Sequence, residues 1–160
     1  YTWAGAYLNS RQVVIVRANS GIRTLQDLEG KRFAVQVSSK PDEILLNHED
    51  ARIPEVDEIY CFSTLDEVYA CLRKGYCDAI AGHESALRLF MDSLPNEFYM
   101  LEESLYESEL GVAFEKGTQE ELADELSKTL QQMHQDGTTE RILAKYGINT
   151  DCAWSDAYAE

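Results

Sequence analysis

The hydrophobic positions of this chain fall into short apolar runs that are separated by segments with a helical spacing. Runs rich in β-branched residues, such as Val13-Val14-Ile15-Val16, predict strands. Segments whose apolar residues recur every three or four positions predict helices. The predicted strands cover 11–17, 32–37, 57–62, 78–81, 97–101 and 110–115, and the predicted helices cover 24–30, 63–75 and 83–94, with a further helix starting at Ser39. This alternation predicts an α/β fold with a mostly parallel sheet.

The pattern changes after the last predicted strand. Residues 118–137 form a predicted amphipathic helix that begins at a capping box made by Thr118 and Glu121, and residues 138–147 form a second helix. Their apolar positions are expected to face a core and are Leu122, Leu126, Leu130, Met133, Ile142, Leu143 and Tyr146. Because almost no sheet accompanies these helices, we predict that a missing lobe segment or a second chain covers them.

The composition is that of a globular protein with an acidic surface. Of the 160 residues, 44% are hydrophobic and 27% are charged, and 29 acids against 14 bases give a formal net charge of -15. Binding of nucleic acid is not expected, because such surfaces need clustered lysine and arginine and this chain has no such cluster. The longest apolar runs are also far shorter than the ~20 residues of a membrane-spanning helix.

The cysteine and histidine spacings do not indicate a metal site. Cysteine occurs at positions 61, 71, 77 and 152 without a Cys-x-x-Cys pair, and the three histidines are not at metal-ligand spacings. No metal or other cofactor is therefore predicted. The cysteines are expected to be buried free thiols, and the alternative is a Cys71–Cys77 disulfide if the protein resides in an oxidising compartment.

The segment "QVSSKPDE" joins a predicted strand to a predicted helix, and two interpretations of it stay open. Ser39 is placed to cap the helix by accepting a hydrogen bond from a backbone N–H of the first turn. Alternatively, the turn binds a small anion, since the first N–H groups of a helix lack partners within the helix and the helix dipole favours negative charge there. Lys40 supports the anion site, whereas Asp42 and Glu43 already complement the dipole and support the cap.

The order of several motifs resembles a known family. "AYLNSRQVVIVR", "GIRTLQDLEGKRFAVQ", "LRKGYCDAIAGHESAL", "ELGVAFEKGT" and "LQQMHQDGTTERILAKYG" follow one another as in extracellular solute-binding protein family 3, the substrate-binding proteins of polar amino-acid ABC transporters. The resemblance covers nearly the whole chain and implies a periplasmic-binding-protein-like fold of type II, with one complete lobe and a partial second lobe. It implies that 1–16 hold the end of lobe 1 and the first hinge crossing, that 17–105 are lobe 2, and that 106–160 hold the second crossing and the last helices of lobe 1.

The resemblance also implies a set of ligand-binding residues. The turn at Ser38, Ser39 and Lys40 matches the place where the family binds the ligand's α-carboxylate, and Gln36 is expected to reach the same cleft. In the family an acid at the end of a later strand pairs with the ligand's α-ammonium group. Here His83 stands at that position and Glu84 follows it, so Glu84 is the residue predicted to supply the negative charge. The alternative is that His83 and Glu84 simply form the first turn of a helix.

The function implied by the resemblance is extracytoplasmic binding of a small polar solute, in the first place an amino acid, for delivery to the permease of an ABC transporter. The alternative is an extracellular sensor domain attached to a membrane-bound signalling protein, such as a kinase or a diguanylate cyclase. Motifs of nucleophilic or phosphate-transfer enzymes are absent from the sequence, and one acid does not make a mechanism, so catalysis is not expected.

Overall fold

A computed structural model describes residues 1–48 and 50–148, and the chain divides into two compact units. Unit 1 comprises Tyr1–Ser10 and the chain from Ser108 onward, and unit 2 comprises Arg11–Glu107. Two long strands, β1 (Thr2–Arg17) and β5 (Phe98–Phe114), contribute residues to both units. The predicted α/β class is confirmed by this mixture of helices and a five-stranded sheet.

Unit 2 is built on the sheet, whose strand order is β3-β2-β4-β1-β5. Strand β2 lies parallel to both β3 and β4, whereas β1 runs antiparallel to β4. The other elements of the unit are β2 (Arg32–Gln36), α1 (Lys40–Asn47), β3 (Glu58–Phe62), α2 (Leu65–Lys74), β4 (Ala79–His83) and α3 (Glu84–Asp92), with a short 3-10 turn at Gln26–Leu28.

The core of unit 2 occupies both faces of the sheet. Along β1, Val14 and Val16 belong to one buried cluster, while Val13 and Ile15 belong to a second one. Neighbouring residues of a strand point to opposite faces, so a run of four buried apolar residues needs packing on both sides. The helices that follow β2, β3 and β4 supply part of that packing, and the long apolar run in the sequence is explained by it.

The sheet topology determines where the ends of the strands meet. Strands β2 and β4 are parallel and adjacent, and each is followed within a few residues by a helix. Their carboxyl ends therefore place residues 36–40 and His83 at the same edge of the sheet. Gln12 of the antiparallel strand β1 lies directly opposite His83 in the register.

One predicted helix, two predicted strands and one predicted capping box differ from the structure. Residues 24–30 form only the short 3-10 turn, and the strands predicted at 97–101 and 110–115 are parts of the single strand β5. The predicted capping box at Thr118 is wrong: the Thr118 hydroxyl donates to the carbonyl of Glu115, and the residue before the helix is Gln119, with a φ of 54° and no capping side-chain hydrogen bond.

Unit 1 contains α4 (Glu120–Gln135) and α5 (Thr138–Lys145). Of the predicted apolar positions, Leu143 is buried, and Leu126, Leu130 and Met133 are partly buried. Ala123 and Leu143 are the residues of the two helices that are buried among those described, while large apolar side chains stay exposed on this unit at Leu122, Ile142 and Tyr146. The helices thus keep an apolar surface that the described part of unit 1 does not cover.

The cysteines at positions 61, 71 and 77 are free thiols. Cys71 and Cys77 are buried as predicted, whereas Cys61 is exposed, so the prediction of a buried thiol is wrong there. Cys152 lies outside the described residues. In the part of the chain that the structure describes, no group of histidine, cysteine and acidic side chains is arranged to hold a metal ion. Within the same part, the helices are too short or too polar to cross a bilayer.

Candidate functional site

A cavity of about 420 Å³ lies at the carboxyl ends of β2 and β4 in unit 2. Its position follows from the topology, since ligands of open α/β sheets bind at the carboxyl ends of parallel strands. The cavity brings together five of the six predicted ligand-binding residues, and Glu84 is the one outside its lining. The lining residues are Gln12, Gln36, Val37, Ser38, Ser39, Lys40, Leu65, Ala81, Gly82, His83 and Ala86.

The turn before α1 has the geometry of a helix cap. Ser39 is the N-cap residue, and its Oγ accepts a hydrogen bond of 3.4 Å from the backbone N–H of Asp42. Ser38 has a φ of 59°, a left-handed conformation that is uncommon for residues other than glycine. Such a conformation costs on the order of 1–3 kcal/mol and is found most often at functional sites. The predicted cap is therefore present, and the cap residue also lines the cavity.

Asp42 uses part of the hydrogen-bonding capacity of this turn. Its carboxylate accepts a hydrogen bond of 2.8 Å from the N–H of Ser38, and the thiol of Cys61 lies 3.1 Å from its other oxygen. The side chain is buried and does not line the cavity. The two serine hydroxyls and the ammonium group of Lys40 are thus the groups through which the turn can attract an anion in the cavity.

Lys40 is held at the mouth of the turn by two neighbours. Its Nζ lies 3.1 Å from Oε2 of Glu43 and 5.3 Å from the centroid of the Tyr106 ring. Exposed ion pairs of this kind contribute little to stability, because water screens them and because long side chains lose entropy on pairing. The pairing of Lys40 with Glu43 therefore contributes little to the stability of the turn.

Gln12 is a residue of the cavity that the sequence analysis did not identify. Its side chain is only 3% exposed, and its Nε2 lies 3.0 Å from Nδ1 of His83, its partner across the strands. The signal was present in the sequence as a single amide within the apolar strand "RQVVIVR". Because a buried polar side chain is costly unless it is hydrogen-bonded, a glutamine at such a place suggests a specific role.

Gln36 also lines the cavity, from the last position of β2. Its Nε2 donates a hydrogen bond of 3.2 Å to the carbonyl of Ser63, in the loop between β3 and α2. Gln36 is half-buried, and its amide has further capacity for hydrogen bonds. The predicted position of Gln36 at the cavity therefore agrees with the geometry.

Glu84 begins α3 next to the cavity, and both of its carboxylate oxygens are engaged by arginines. Nε of Arg11 donates to Oε2 at 2.7 Å, and Nε of Arg88 donates to Oε1 at 2.8 Å. The Glu84 side chain is 6% exposed. The hydrogen bond from Arg11, with a smaller effect from Arg88, holds the pKa of Glu84 below its ordinary value, although burial acts in the opposite direction. With these contacts, Glu84, which was predicted to pair with the ammonium group of the solute, does not line the cavity.

A larger cavity of about 580 Å³ lies in unit 1, between the ends of the long strands and α4. Its lining combines the acids Glu109 and Asp124 with Lys128 and the exposed ring of Trp3, and it holds none of the predicted ligand-binding residues. The cavity of unit 2, and not this one, is lined by predicted ligand-binding residues.

Comparison with known proteins gives matches over most of the chain. A curated relative, the probable histidine-binding protein of Campylobacter jejuni subsp. jejuni serotype O:2, is 21% identical over 142 residues. That match covers 89% of this chain and 53% of the relative. The chain thus spans about half the length of the curated relative that it matches.

Solved structures of binding proteins have the same fold. The crystal structure of Tv2483 bound to L-arginine has a TM-score of 0.72 and 27% identity, with 94% of this chain and 60% of that chain covered. An ancestral arginine-binding protein bound to glutamine has a TM-score of 0.69 and 25% identity, with 90% and 62% covered. The predicted periplasmic-binding-protein fold is confirmed by these similarities.

A family model also matches most of the chain. It is described as "ABC transporter, phosphonate, periplasmic substrate-binding protein", and it matches residues 6–156. This range includes every residue that lines the cavity of unit 2. The chain therefore belongs to the family of periplasmic substrate-binding proteins of the phosphonate ABC transporter type.

Proposed function

We propose that this chain binds a small polar solute for an ABC transporter, and that the cavity of unit 2 holds the anionic group of the solute. The observation that carries the proposal is the lining of the cavity, where Ser38, Ser39 and Lys40 surround the start of α1 and no carboxylate is present among the lining residues. Family membership and the binding proteins among the relatives support the same role.

The electrostatics of the cavity favour an anion. A helix amino terminus carries a partial positive charge, and hydroxyl and ammonium donors form stronger hydrogen bonds with a charged acceptor than with a neutral one. Asp42 offsets part of the dipole from behind the turn. Lys40 lines the cavity and adds a positive charge, which its pairing with Glu43 at 3.1 Å partly offsets.

The solute class is proposed from the relatives. The names of the curated relative and of the solved structures refer to histidine, arginine and glutamine, whereas the family is named for phosphonate. Amino acids and phosphonates share an anionic group, which is the part that the cavity of unit 2 can bind. We propose amino acids as the first class to be tested, with phosphonates beside them.

The wider role follows from the same relationship. We propose an extracytoplasmic location, because the family is described as periplasmic. We further propose that the chain binds its solute without converting it and passes it to a membrane permease. The alternative prediction, a sensor domain of a signalling protein, requires the same binding step.

We also propose that another polypeptide segment or a second chain covers the apolar surface of unit 1 formed by Leu122, Ile142 and Tyr146. Large exposed apolar patches mark interaction surfaces. Light scattering on the chain alone, combined with binding of a hydrophobic dye, tests this proposal. Self-association, or a monomer that binds the dye, supports it, and a monomer that binds no dye contradicts it.

Removal of the Ser39 hydroxyl tests the solute site directly. We expect Ser39→Ala to lower the affinity of the full chain for its solute by about tenfold, since a hydrogen bond to a charged group contributes about 1.5–3 kcal/mol. It should also lower the free energy of unfolding by about 1 kcal/mol through loss of the cap. Calorimetric titration with a panel of amino acids and phosphonates measures the first effect, and thermal unfolding measures the second.

Thr64→Ala is the matched control. Thr64 caps α2 with the same geometry, since its Oγ1 accepts a hydrogen bond from the N–H of Glu67, but Thr64 does not line the cavity. It should cost a similar stability and leave the affinity unchanged. If Ser39→Ala behaves like Thr64→Ala, the serine is a cap only and the proposed site is wrong. If no compound of the panel binds the wild-type chain, the proposed function is wrong.

A further inference from the structure

Gln12 carries a buried hydrogen-bond acceptor at the end of the pairing between β1 and β4. Its side chain is only 3% exposed, and its Oε1 is buried without a hydrogen-bond partner among the described residues. A buried polar atom without a partner is unfavourable, and folded proteins contain few such atoms. Gln12 also lines the cavity of unit 2. A hydrogen-bond donor that enters the cavity can therefore remove an energetic cost that the protein carries on its own.

His83 holds the other end of the Gln12 amide. The two residues lie directly opposite each other in the antiparallel register, so their side chains point to the same face of the sheet. Nε2 of Gln12 lies 3.0 Å from Nδ1 and 3.1 Å from Nε2 of the His83 ring. An amide nitrogen can only donate, and a neutral imidazole has one acceptor nitrogen. Gln12 thus uses its donor on His83 and keeps its acceptor for another group.

A small rotation makes the Gln12 oxygen accessible from the cavity. The last torsion of a glutamine side chain is broad, so the amide plane can turn without a change of rotamer. The contact with His83 tolerates this rotation, because both ring nitrogens lie within reach of Nε2 and either tautomer supplies an acceptor. The oxygen can therefore turn toward a donor on the solute while the nitrogen keeps its partner.

The Gln12 oxygen is suited to an N–H group that lies beside the anionic group of a solute. The hydrogens of such a group need acceptors once water is removed, and an acceptor forms a stronger hydrogen bond with a charged donor than with a neutral one. Glu84 does not compete for this role, because Arg11 and Arg88 donate to its two oxygens at 2.7 and 2.8 Å. Breaking such a buried pair would be strongly destabilising.

We propose that Gln12 is a specificity-determining residue of the solute site, whose Oε1 accepts a hydrogen bond from an N–H group next to the anionic group of the solute. His83 is a positioning residue, because its ring holds the amide nitrogen of Gln12. The inference rests on the proposed function, namely that the cavity of unit 2 binds the anionic group. It assigns recognition of the solute nitrogen to a neutral amide of β1, whereas the sequence analysis assigned this role to the carboxylate of Glu84.

Three matched pairs of compounds test the inference by calorimetric titration of the full chain. L-alanine is compared with propionate, L-histidine with 3-(imidazol-4-yl)propionate, and 1-aminoethylphosphonate with ethylphosphonate, so that the members of each pair differ only by the amine. In each pair that binds, we expect the amine-bearing member to bind at least tenfold more tightly. If both members bind within threefold of each other, or the amine-free member binds more tightly, the inference is overturned while the proposed function stands. If no compound binds, both are overturned.

Gln12→Met separates Gln12 from the other groups of the cavity. Methionine has a similar size and adapts to irregular spaces, but it lacks the amide oxygen and the amide nitrogen. We expect the variant to reduce the ratio of affinities within a pair at least fivefold, with a change of less than threefold for the amine-free member. If the ratio stays at its wild-type value, Gln12 does not contact the solute nitrogen and the inference is overturned.

Val14→Ala is the matched control for a loss of stability. Val14 is fully buried two residues further along β1, on the same face as Gln12, and it does not line the cavity. The substitution should leave the ratio of affinities unchanged. If it reduces the ratio as much as Gln12→Met does, the effect comes from a loosened sheet, and the inference is overturned.

Gln12→Glu tests whether the residue acts as an acceptor. Glutamate keeps an oxygen at the place of Oε1 and removes both N–H donors of the amide. The ratio of affinities should stay at its wild-type value or rise, because a carboxylate is the stronger acceptor for a charged N–H group. If folded Gln12→Glu loses the preference as Gln12→Met does, Gln12 acts as a donor and the assigned role is overturned. Thermal unfolding establishes that each variant is folded, and the ratio of the wild-type chain decides if neither is.

Discussion

Glu84→Gln should lower the free energy of unfolding of unit 2 by about 2–3 kcal/mol. The carboxylate is almost fully buried and bridges Arg11 of β1 to Arg88 of α3. Removing one partner of a buried ion pair costs about 3–5 kcal/mol, because the remaining charge loses its compensation. We expect a loss at or just below the lower end of that range, since both arginines are partly exposed and water can replace some of the lost interaction. Amide hydrogen exchange of β1 and β4 measures the effect within unit 2.

The pH dependence of the same variant gives an independent check. The arginines hold the pKa of Glu84 below its ordinary value of 4.5, so the wild-type chain gains stability from this group above pH 4.5. That gain is lost as the pH falls through the lowered pKa, because the folded carboxylate must then take up a proton. The difference in stability between wild type and Glu84→Gln should therefore be full at pH 7 and shrink in acid. A constant difference between pH 7 and pH 3 would contradict this origin.

Glu43→Gln is the control for the buried pair. Glu43 pairs with Lys40 on the surface, where its side chain is 53% exposed, so the substitution should cost less than about 1 kcal/mol.

The affinity of Glu84→Gln for the solute separates two roles of Glu84. A carboxylate that contacts a solute ammonium would lose about tenfold or more in affinity on substitution, whereas a structural ion pair should change the affinity of the folded chain by less than threefold.

The sequence predicts best those helices and strands whose conformation is determined by their own residues. The strand around Val13–Val16, the cap at Ser39 and the helices α2 and α3 all follow from local periodicity and capping chemistry. The long strand β5 could not be predicted in the same way. Its middle section, "EESLYES", is too polar to be recognised as a strand, and hydrogen bonding within the sheet determines its conformation.

The same difference between local patterns and contacts made through the sheet explains why only part of the candidate site could be predicted. The turn at Ser38 and Ser39 has a local signature, and so does the end of β4 at His83. The environment of Glu84 does not, because Arg11 lies 73 residues away in the chain and meets Glu84 only through the sheet. Gln12 reaches the cavity through its register with His83 on an antiparallel neighbour. Contacts that depend on strand order cannot be inferred from a single segment.

Phe33→Ala should have the largest effect on stability among these substitutions, with a loss of about 3–5 kcal/mol in the free energy of unfolding of unit 2. Phe33 is fully buried in β2 and is among the largest buried side chains of the protein. It lies beside Ile59 of β3 and Ala79 of β4 in the sheet register. Truncation removes apolar contacts and leaves a cavity between well-packed neighbours, which can relax only in part.

Leu89→Ala is the matched control, because Leu89 is 74% exposed on α3 and its truncation should change the stability of unit 2 by less than about 0.5 kcal/mol. Fluorescence of Trp3 does not measure this effect, because Trp3 belongs to unit 1. Exchange of the amide hydrogens of Val35 and Ile80 reports on the central strands of unit 2. If Phe33→Ala leaves the protection of both amides unchanged, the sheet of unit 2 does not form the cooperative core that positions the cavity.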